Sequence, residues 1–124
     1  GSYPRLVAVG DWIFVSNTAG RNPATGEIPG DLEAQTRQVF ANIEAALAAV
    51  DASLADVVCS RVFIQNPEDV GSVMTIVGEV FRGIDPASTV TCPPLGAMVY
   101  RVELEVTAYR GASRATTHLV SLQG

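Results

Sequence analysis

The sequence predicts an α+β fold in which two helices cover one face of a mixed β-sheet. Strand-like runs alternate apolar and polar residues, and two longer segments repeat apolar residues at three- and four-residue steps. Turn-forming residues separate these segments in the order β-β-α-β-α-β-β. The 124 residues are 48% hydrophobic, which is enough for a buried core and excludes an intrinsically disordered chain.

The chain begins with a predicted β-hairpin. Apolar residues 6–9 and 12–15 flank the pair Gly10-Asp11, which is typical of a hairpin turn. The second strand is apolar on both faces up to Ser16, so we expect it to be central and covered on both sides. Residues 17–30 are rich in turn formers and predict a loop.

Two amphipathic helices follow. Asp31 is a predicted N-cap for a helix that ends near residue 50, and its apolar residues form a single stripe. A strand over residues 57–64 precedes the second helix. That helix is predicted to start at Asn66-Pro67 and to stop at Gly83.

Residues 86–108 predict a second hairpin, with a short strand, a Pro-Pro-Leu-Gly turn and a long alternating strand. In the long strand, Arg101 and Glu103 share a polar face that either meets solvent or lines a cleft. The sheet face away from the helices is expected to be semi-polar, which favours a subunit interface. The residues predicted for it are Arg61, Ser88, Thr91, Arg101 and Glu103.

Charge and composition exclude several classes of function. The net charge is −5, and the eight basic residues are scattered arginines, so we expect no nucleic-acid partner. A single histidine, His118, and the separated Cys59 and Cys92 do not predict a metal site, and no cofactor is expected. No apolar run is long enough to cross a membrane and no secretory signal is evident, so we expect a cytoplasmic protein.

Several motifs, in order and spacing, resemble the Rid family, also called YjgF, of reactive-intermediate (enamine/imine) deaminases. They are segments 10–16 (GDWIFVS), 23–27 (PATGE), 33–39 (EAQTRQV), 52–58 (ASLADVV) and 102–105 (VELE). The resemblance covers about residues 3–109. It implies a chorismate-mutase-like fold, a homotrimer, and a small-molecule cleft at each subunit interface for an imine, enamine or carboxylate ligand.

The resemblance also implies site residues. Glu103 matches the glutamate that holds the attacking water, and Tyr3 and Ser16 match cleft-lining positions. The family's Pro-x-Arg-Ser-type motif, whose arginine binds the substrate carboxylate, is matched by a segment in which Ala87 takes the arginine position. The substrate-binding positions carried over from that segment are Ala87, Ser88 and Thr89.

The missing arginine leaves open which residue binds a carboxylate. Arg101 is the first candidate, because alternate strand residues share a face, and Arg61 and Arg5 are the others. The competing interpretation of Arg101 is a salt bridge to Glu103 or Glu105. Deamination of 2-aminoacrylate is therefore expected to be weak or absent.

Three functions remain open: an imine or enamine hydrolase, a non-catalytic ligand-binding or regulatory homologue, and, least supported, an endoribonuclease. We expect one Rid-like domain over residues 1–111. Residues 112–124 are expected to form a C-terminal extension docked on the domain or on a neighbouring subunit, with a catalytic role for His118 as a minor alternative.

Overall fold

The computed structural model describes residues 2–122 and has the predicted order of elements. The strands and helices are β1 (Leu6–Val9), β2 (Trp12–Ala19), α1 (Leu32–Ala48), β3 (Val57–Ile64), α2 (Val70–Val80), β4 (Ala87–Thr91) and β5 (Val102–Tyr109). They form a five-stranded mixed sheet in the order β1-β2-β5-β3-β4. The α+β prediction is confirmed.

Local signals set several ends of these elements as predicted, but β2 continues to Ala19 into the predicted loop, and α2 begins at Val70 after a 3₁₀ turn at Pro67–Asp69. Gly10 has a φ of +58°, which the turn between β1 and β2 requires. The Asp31 carboxylate accepts a hydrogen bond of 2.9 Å from the Ala34 amide and caps α1. Gly83, with a φ of +79°, follows the end of α2.

Both helices pack on the same face of the sheet. The inward side chains of β2, β3 and β5 are fully or almost fully buried, as are the apolar stripes of the helices. Phe40 of α1 meets Phe81, just after α2, edge to face at 5.4 Å. Each large aliphatic side chain buried in this layer stabilises the fold by about 1.5–3 kcal/mol.

Residues 86–108 do not form the predicted hairpin. β4 pairs with β3 in parallel, while β5 pairs antiparallel with both β2 and β3, so β3 separates the two strands. The connecting loop passes the end of β3, where Gln65 accepts a hydrogen bond from the Leu95 amide and donates one to the Ala97 carbonyl. The predicted turn residues do lie between β4 and β5, but the two strands pair with opposite edges of β3 and not with each other.

The outer face of the sheet is uncovered within one chain, contrary to the expectation that β2 is covered on both sides. Trp12 and Phe14 of β2 are 46% and 48% exposed. Trp12 packs edge to face on Tyr109 of β5 at 5.0 Å. Val7 and Val9 of β1 pair with Phe14 and Trp12 and are also exposed. This edge of the outer face is therefore apolar rather than semi-polar.

The C-terminal extension starts with a single turn at Ala112–Arg114, and the Asp56 carboxylate accepts a hydrogen bond from the Ser113 amide at 3.0 Å. That carboxylate has a pKa lowered by its backbone hydrogen bonds, against the opposing effect of burial. Residues 115–122 form no strand, and Gln123 and Gly124 lie outside the described residues. Docking of the extension on a neighbouring subunit stays a prediction.

Between residues 2 and 122, none of the helices is both long and apolar enough to cross a membrane.

Candidate functional site

A bulge in β2 organises the candidate site. The pairing of β2 with β5 is irregular between Val15 and Thr18, so Ser16 and Asn17 lie where the ladder is interrupted. The Ser16 amide donates to the Arg5 carbonyl at 2.9 Å, and its hydroxyl donates to the Pro4 carbonyl at 2.7 Å. These two bonds hold the N-terminal segment, including Tyr3, beside the bulge.

Glu103 lies on the outer face of β5, next to the same bulge. Its Oε1 accepts a hydrogen bond of 2.6 Å from Nδ2 of Asn17. Burial raises the pKa of the Glu103 carboxyl above its usual value, and the Asn17 hydrogen bond lowers it in part. A carboxyl group with a raised pKa can exchange a proton closer to neutral pH than an exposed glutamate can.

Two grooves meet at the bulge. The first, which we call the arginine groove, has a volume of about 470 Å³ and lies between the N-terminal segment, β2, the loop after β2, and α1. The second, the Ser16 groove, has a volume of about 490 Å³. Tyr3, Arg5 and Asn17 line both. Tyr3 and Ser16 are thus brought to one place, and Asn17 connects that place to Glu103.

Arg101 does not share a face with Glu103, so that expectation is wrong. β5 begins at Val102, and the Arg101 amide is instead bound to Oε1 of Gln35 at 2.7 Å. One guanidinium nitrogen contacts both carboxylate oxygens of Asp69 at 3.1 and 3.2 Å. The predicted salt bridge to Glu103 or Glu105 is also wrong, and the Asp69 contacts leave Arg101 poorly placed to bind a substrate near Glu103.

The other two candidate arginines differ in their surroundings. Arg61 pairs with Glu105 across β3 and β5 at 2.8 Å, which raises the pKa of its guanidinium. No carboxylate in residues 2–122 lies within salt-bridge distance of Arg5, which is exposed and lines both grooves. Of the three candidates, Arg5 alone combines an unpaired charge with a place beside Ser16.

Ala87, Ser88 and Thr89 lie on edge strand β4, away from Glu103. Ser88 points to the helix-covered side, because its hydroxyl bonds that of buried Ser60 at 3.0 Å, so its predicted place on the outer face is wrong. Thr89, opposite Arg61, faces outward. Ala87 lines a separate groove of about 470 Å³ together with His118 of the extension.

The register separates Ala87 from Glu103 within one chain. Glu103 is opposite Phe63, which is opposite Thr91, so Ala87 lies four residues farther along the sheet. Four residues along a strand and two strand spacings across place these backbones roughly 16 Å apart. A small molecule cannot contact both positions of the same chain.

Sequence reasoning missed the site role of three polar residues. Asn17 is predicted only as the first residue of a loop, although its amide contacts Glu103. Arg21 and Asn42 line the arginine groove, and the Asn42 amide donates to the carbonyls of Ala19 and Arg21. Two sequence features could have indicated these residues. Arg21 is the single basic residue of a turn-rich loop, and Asn42 is an asparagine on the inner side of α1.

Comparisons with known proteins identify relatives of this chain. The family model described as Endoribonuclease L-PSP matches residues 1–110. A RutC family protein from Pyrococcus abyssi is 33% identical over 89% of this chain and 87% of its own length. A 2-iminobutanoate/2-iminopropanoate deaminase from Dermatophagoides farinae is 34% identical over 85% of this chain and 83% of its own.

A solved structure has the same fold. The crystal structure of the YjgF gene product from E. coli superposes with a TM-score of 0.83 and 29% identity, covering 89% of both chains. Both the sequence match over nearly the whole chain and the shared fold point to one family. The chain belongs to the Endoribonuclease L-PSP family, that is, the YjgF/Rid family.

Proposed function

We propose that this protein hydrolyses a small imine or enamine, with Glu103 as the residue that activates water. The observation that carries the proposal is the Glu103 carboxyl itself, which is partly buried, has a raised pKa and accepts a hydrogen bond from Asn17, a residue that lines both grooves. Catalytic acids and bases are typically tuned in this way. The deaminase named among the relatives supports the same class of reaction.

In the proposed reaction the Glu103 carboxylate accepts a proton from water while the water oxygen bonds to the C=N carbon. The π electrons of that bond move to nitrogen, which takes this proton from the Glu103 carboxyl and so regenerates the carboxylate. The resulting carbinolamine releases ammonia as its C–N bond breaks and the carbonyl forms, so imine and water give carbonyl and ammonia. An enamine first takes a proton on carbon, which a carboxyl group of raised pKa can supply.

The proposal includes a homotrimer in which neighbouring subunits complete the site. The half-exposed Trp12 and Phe14 on the outer face give an apolar surface of the kind that subunit contacts cover. The separation of Ala87 from Glu103 supports the same arrangement, since β4 of one copy can approach Glu103 only from a second copy. The cleft between subunits is part of the proposal.

A non-catalytic ligand-binding role is the second candidate. The observation in its favour is that no arginine occurs between Arg82 and Arg101, so β4 offers no guanidinium for a substrate carboxylate. The endoribonuclease activity in the family's description has less support. A net charge of −5, the lack of lysine and a single histidine do not favour RNA binding or cleavage.

The test is competition between the protein and semicarbazide for imines released from a panel of amino acids that includes aspartate and glutamate, whose imines carry a second carboxylate. Wild-type protein should suppress semicarbazone formation for at least one imine, and Glu103→Gln should lower that rate about 10²–10⁴-fold. Glu105→Gln, two residues along the same face, is the matched control and should retain activity. No suppression with any imine favours the binding role. Equal rates for wild type and Glu103→Gln contradict the assignment of Glu103.

A further inference from the structure

The arginine groove concentrates positive charge in an acidic protein. Within residues 2–122, four of the eight arginines pair with carboxylates. These are Arg37, Arg61, Arg101 and Arg110. Arg5 and Arg21 are not among them, and both line the arginine groove, where no lining residue is acidic. Two unpaired guanidinium groups in one groove favour an anionic ligand.

The walls of the groove hold Arg21 in place and leave Arg5 available. Arg21 donates to the Gly26 carbonyl at 2.7 Å and to the Tyr100 hydroxyl at 2.9 Å. Among residues 2–122, the Arg5 guanidinium makes no hydrogen bond, whereas its backbone carbonyl is bound by Ser16. The backbone of Arg5 is therefore anchored while its planar fork, which suits a carboxylate, is unoccupied by protein groups.

The groove is offset from Glu103. Arg5 lies opposite Ser16 on one side of β2, and Glu103 lies on β5 on the other side. Two strand spacings across the sheet and two to three residues along it separate their backbones by roughly 12 Å. The groove is also walled by Asn42, Ala45 and Ala46 of α1, on the helix side, whereas Glu103 faces outward. An anion on Arg5 and a carbon attacked beside Glu103 are therefore expected to be several bonds apart.

We infer that the substrate carries a carboxylate remote from its C=N carbon, and that Arg5, with Arg21 beside it, binds this carboxylate in the arginine groove. The inference rests on the proposed function for the position of the reacting carbon. A substrate whose only carboxylate is attached directly to the C=N carbon would not span this separation, whereas the imine of a dicarboxylic amino acid would. Arg5 is thus a specificity-determining residue of the same site.

The test uses two isomeric oxo acids of equal charge as product analogues. In 4-oxopentanoate two methylene groups separate the carboxylate from the carbonyl, whereas in 2-oxopentanoate the groups are adjacent. Titration calorimetry on the full-length protein should show at least tenfold tighter binding of 4-oxopentanoate. Arg5→Gln should weaken its binding about 10–100-fold and remove the preference, and Arg5→Lys should restore part of it.

Arg82→Gln is the matched control, because Arg82 is exposed, lies outside the groove and pairs with no carboxylate in the described part of the chain. It should bind both isomers as wild type does. Equal affinities for the isomers, no binding of either at millimolar concentration, or Arg5→Gln matching Arg82→Gln would overturn the inference. An Arg5-dependent preference without any imine hydrolysis would overturn the proposed function alone.

Discussion

At the scale of single residues, the environment of Glu103 is set by two opposing effects. Its partial burial disfavours the carboxylate and raises the pKa, while the Asn17 amide stabilises the carboxylate and lowers the pKa. Asn17 is exposed and held by the irregular part of β2, so its main interaction in the described structure is with Glu103. Substitution of Asn17 is therefore expected to change the pKa of Glu103 while leaving the Glu103 carboxyl group intact.

Asn17→Ala should move the acid limb of the pH–rate profile to higher pH. The substitution removes the effect that lowers the pKa of Glu103, so a higher pH is needed to form the carboxylate that accepts a proton from water. The measurement is kcat/KM for imine hydrolysis as a function of pH. The same substitution in a Glu103→Gln background should cause no such shift. An unmoved acid limb would show that Glu103 is not the group that titrates.

Residue identities were predictable where a local motif defines the position. Ser16 and Glu103 follow from such motifs, and the structure brings both next to the bulge. The alternating pattern predicts that Arg101 and Glu103 share a strand face, but β5 begins only at Val102. The backbone there is instead held by Gln35, a fully buried side chain on α1, and local spacing contains no information about that distant contact.

At the scale of elements, Arg101 and Gln35 join β5 to both helices. Gln35 donates to the carbonyls of Pro29 and Val99 and accepts from the Arg101 amide. The Arg101 guanidinium reaches Asp69 at the start of α2 and the Gly30 carbonyl before α1. The Asp69 side chain is only 11% exposed. These contacts fix the beginning of the strand that carries Glu103.

Arg101→Gln should destabilise the fold by about 1–3 kcal/mol, because it leaves the buried Asp69 carboxylate without its cation. The measurement is the free energy of unfolding from urea denaturation at fixed protein concentration. Arg37→Gln is the control, since the Arg37 pairs with Glu33 and Glu79 are solvent-exposed and should contribute much less to stability. Equal losses for the two variants would contradict the structural role of Arg101.

The types of element were predictable from local patterns, but one pairing was not. Alternation correctly identified β4 and β5 as strands, yet nothing in residues 86–108 specifies that β3 lies between them. Partner choice depends on contacts distant in sequence, such as the Ser60–Ser88 hydrogen bond and the register of Val62 with Leu104. The cap at Asp31 and the turn at Gly10 were predictable because their signals are local.

At the scale of the whole molecule, one chain provides part of a site and an uncovered sheet face. Glu103, Asn17 and the two grooves lie together, whereas Ala87 and Thr89 lie on a distant edge. Trp12 and Phe14 of β2 lie on the outer face of the sheet and are exposed to solvent. In the proposed trimer, neighbouring subunits cover the outer face and exclude water from the surroundings of Glu103.

The most direct test is to follow mass and imine hydrolysis together through a dilution series, by light scattering and by the semicarbazide assay. We predict a particle of three times the 13.0 kDa chain mass at micromolar concentration, with specific activity falling as the trimer dissociates. A monomer mass at micromolar concentration, accompanied by undiminished hydrolysis, would contradict a site completed by neighbouring subunits.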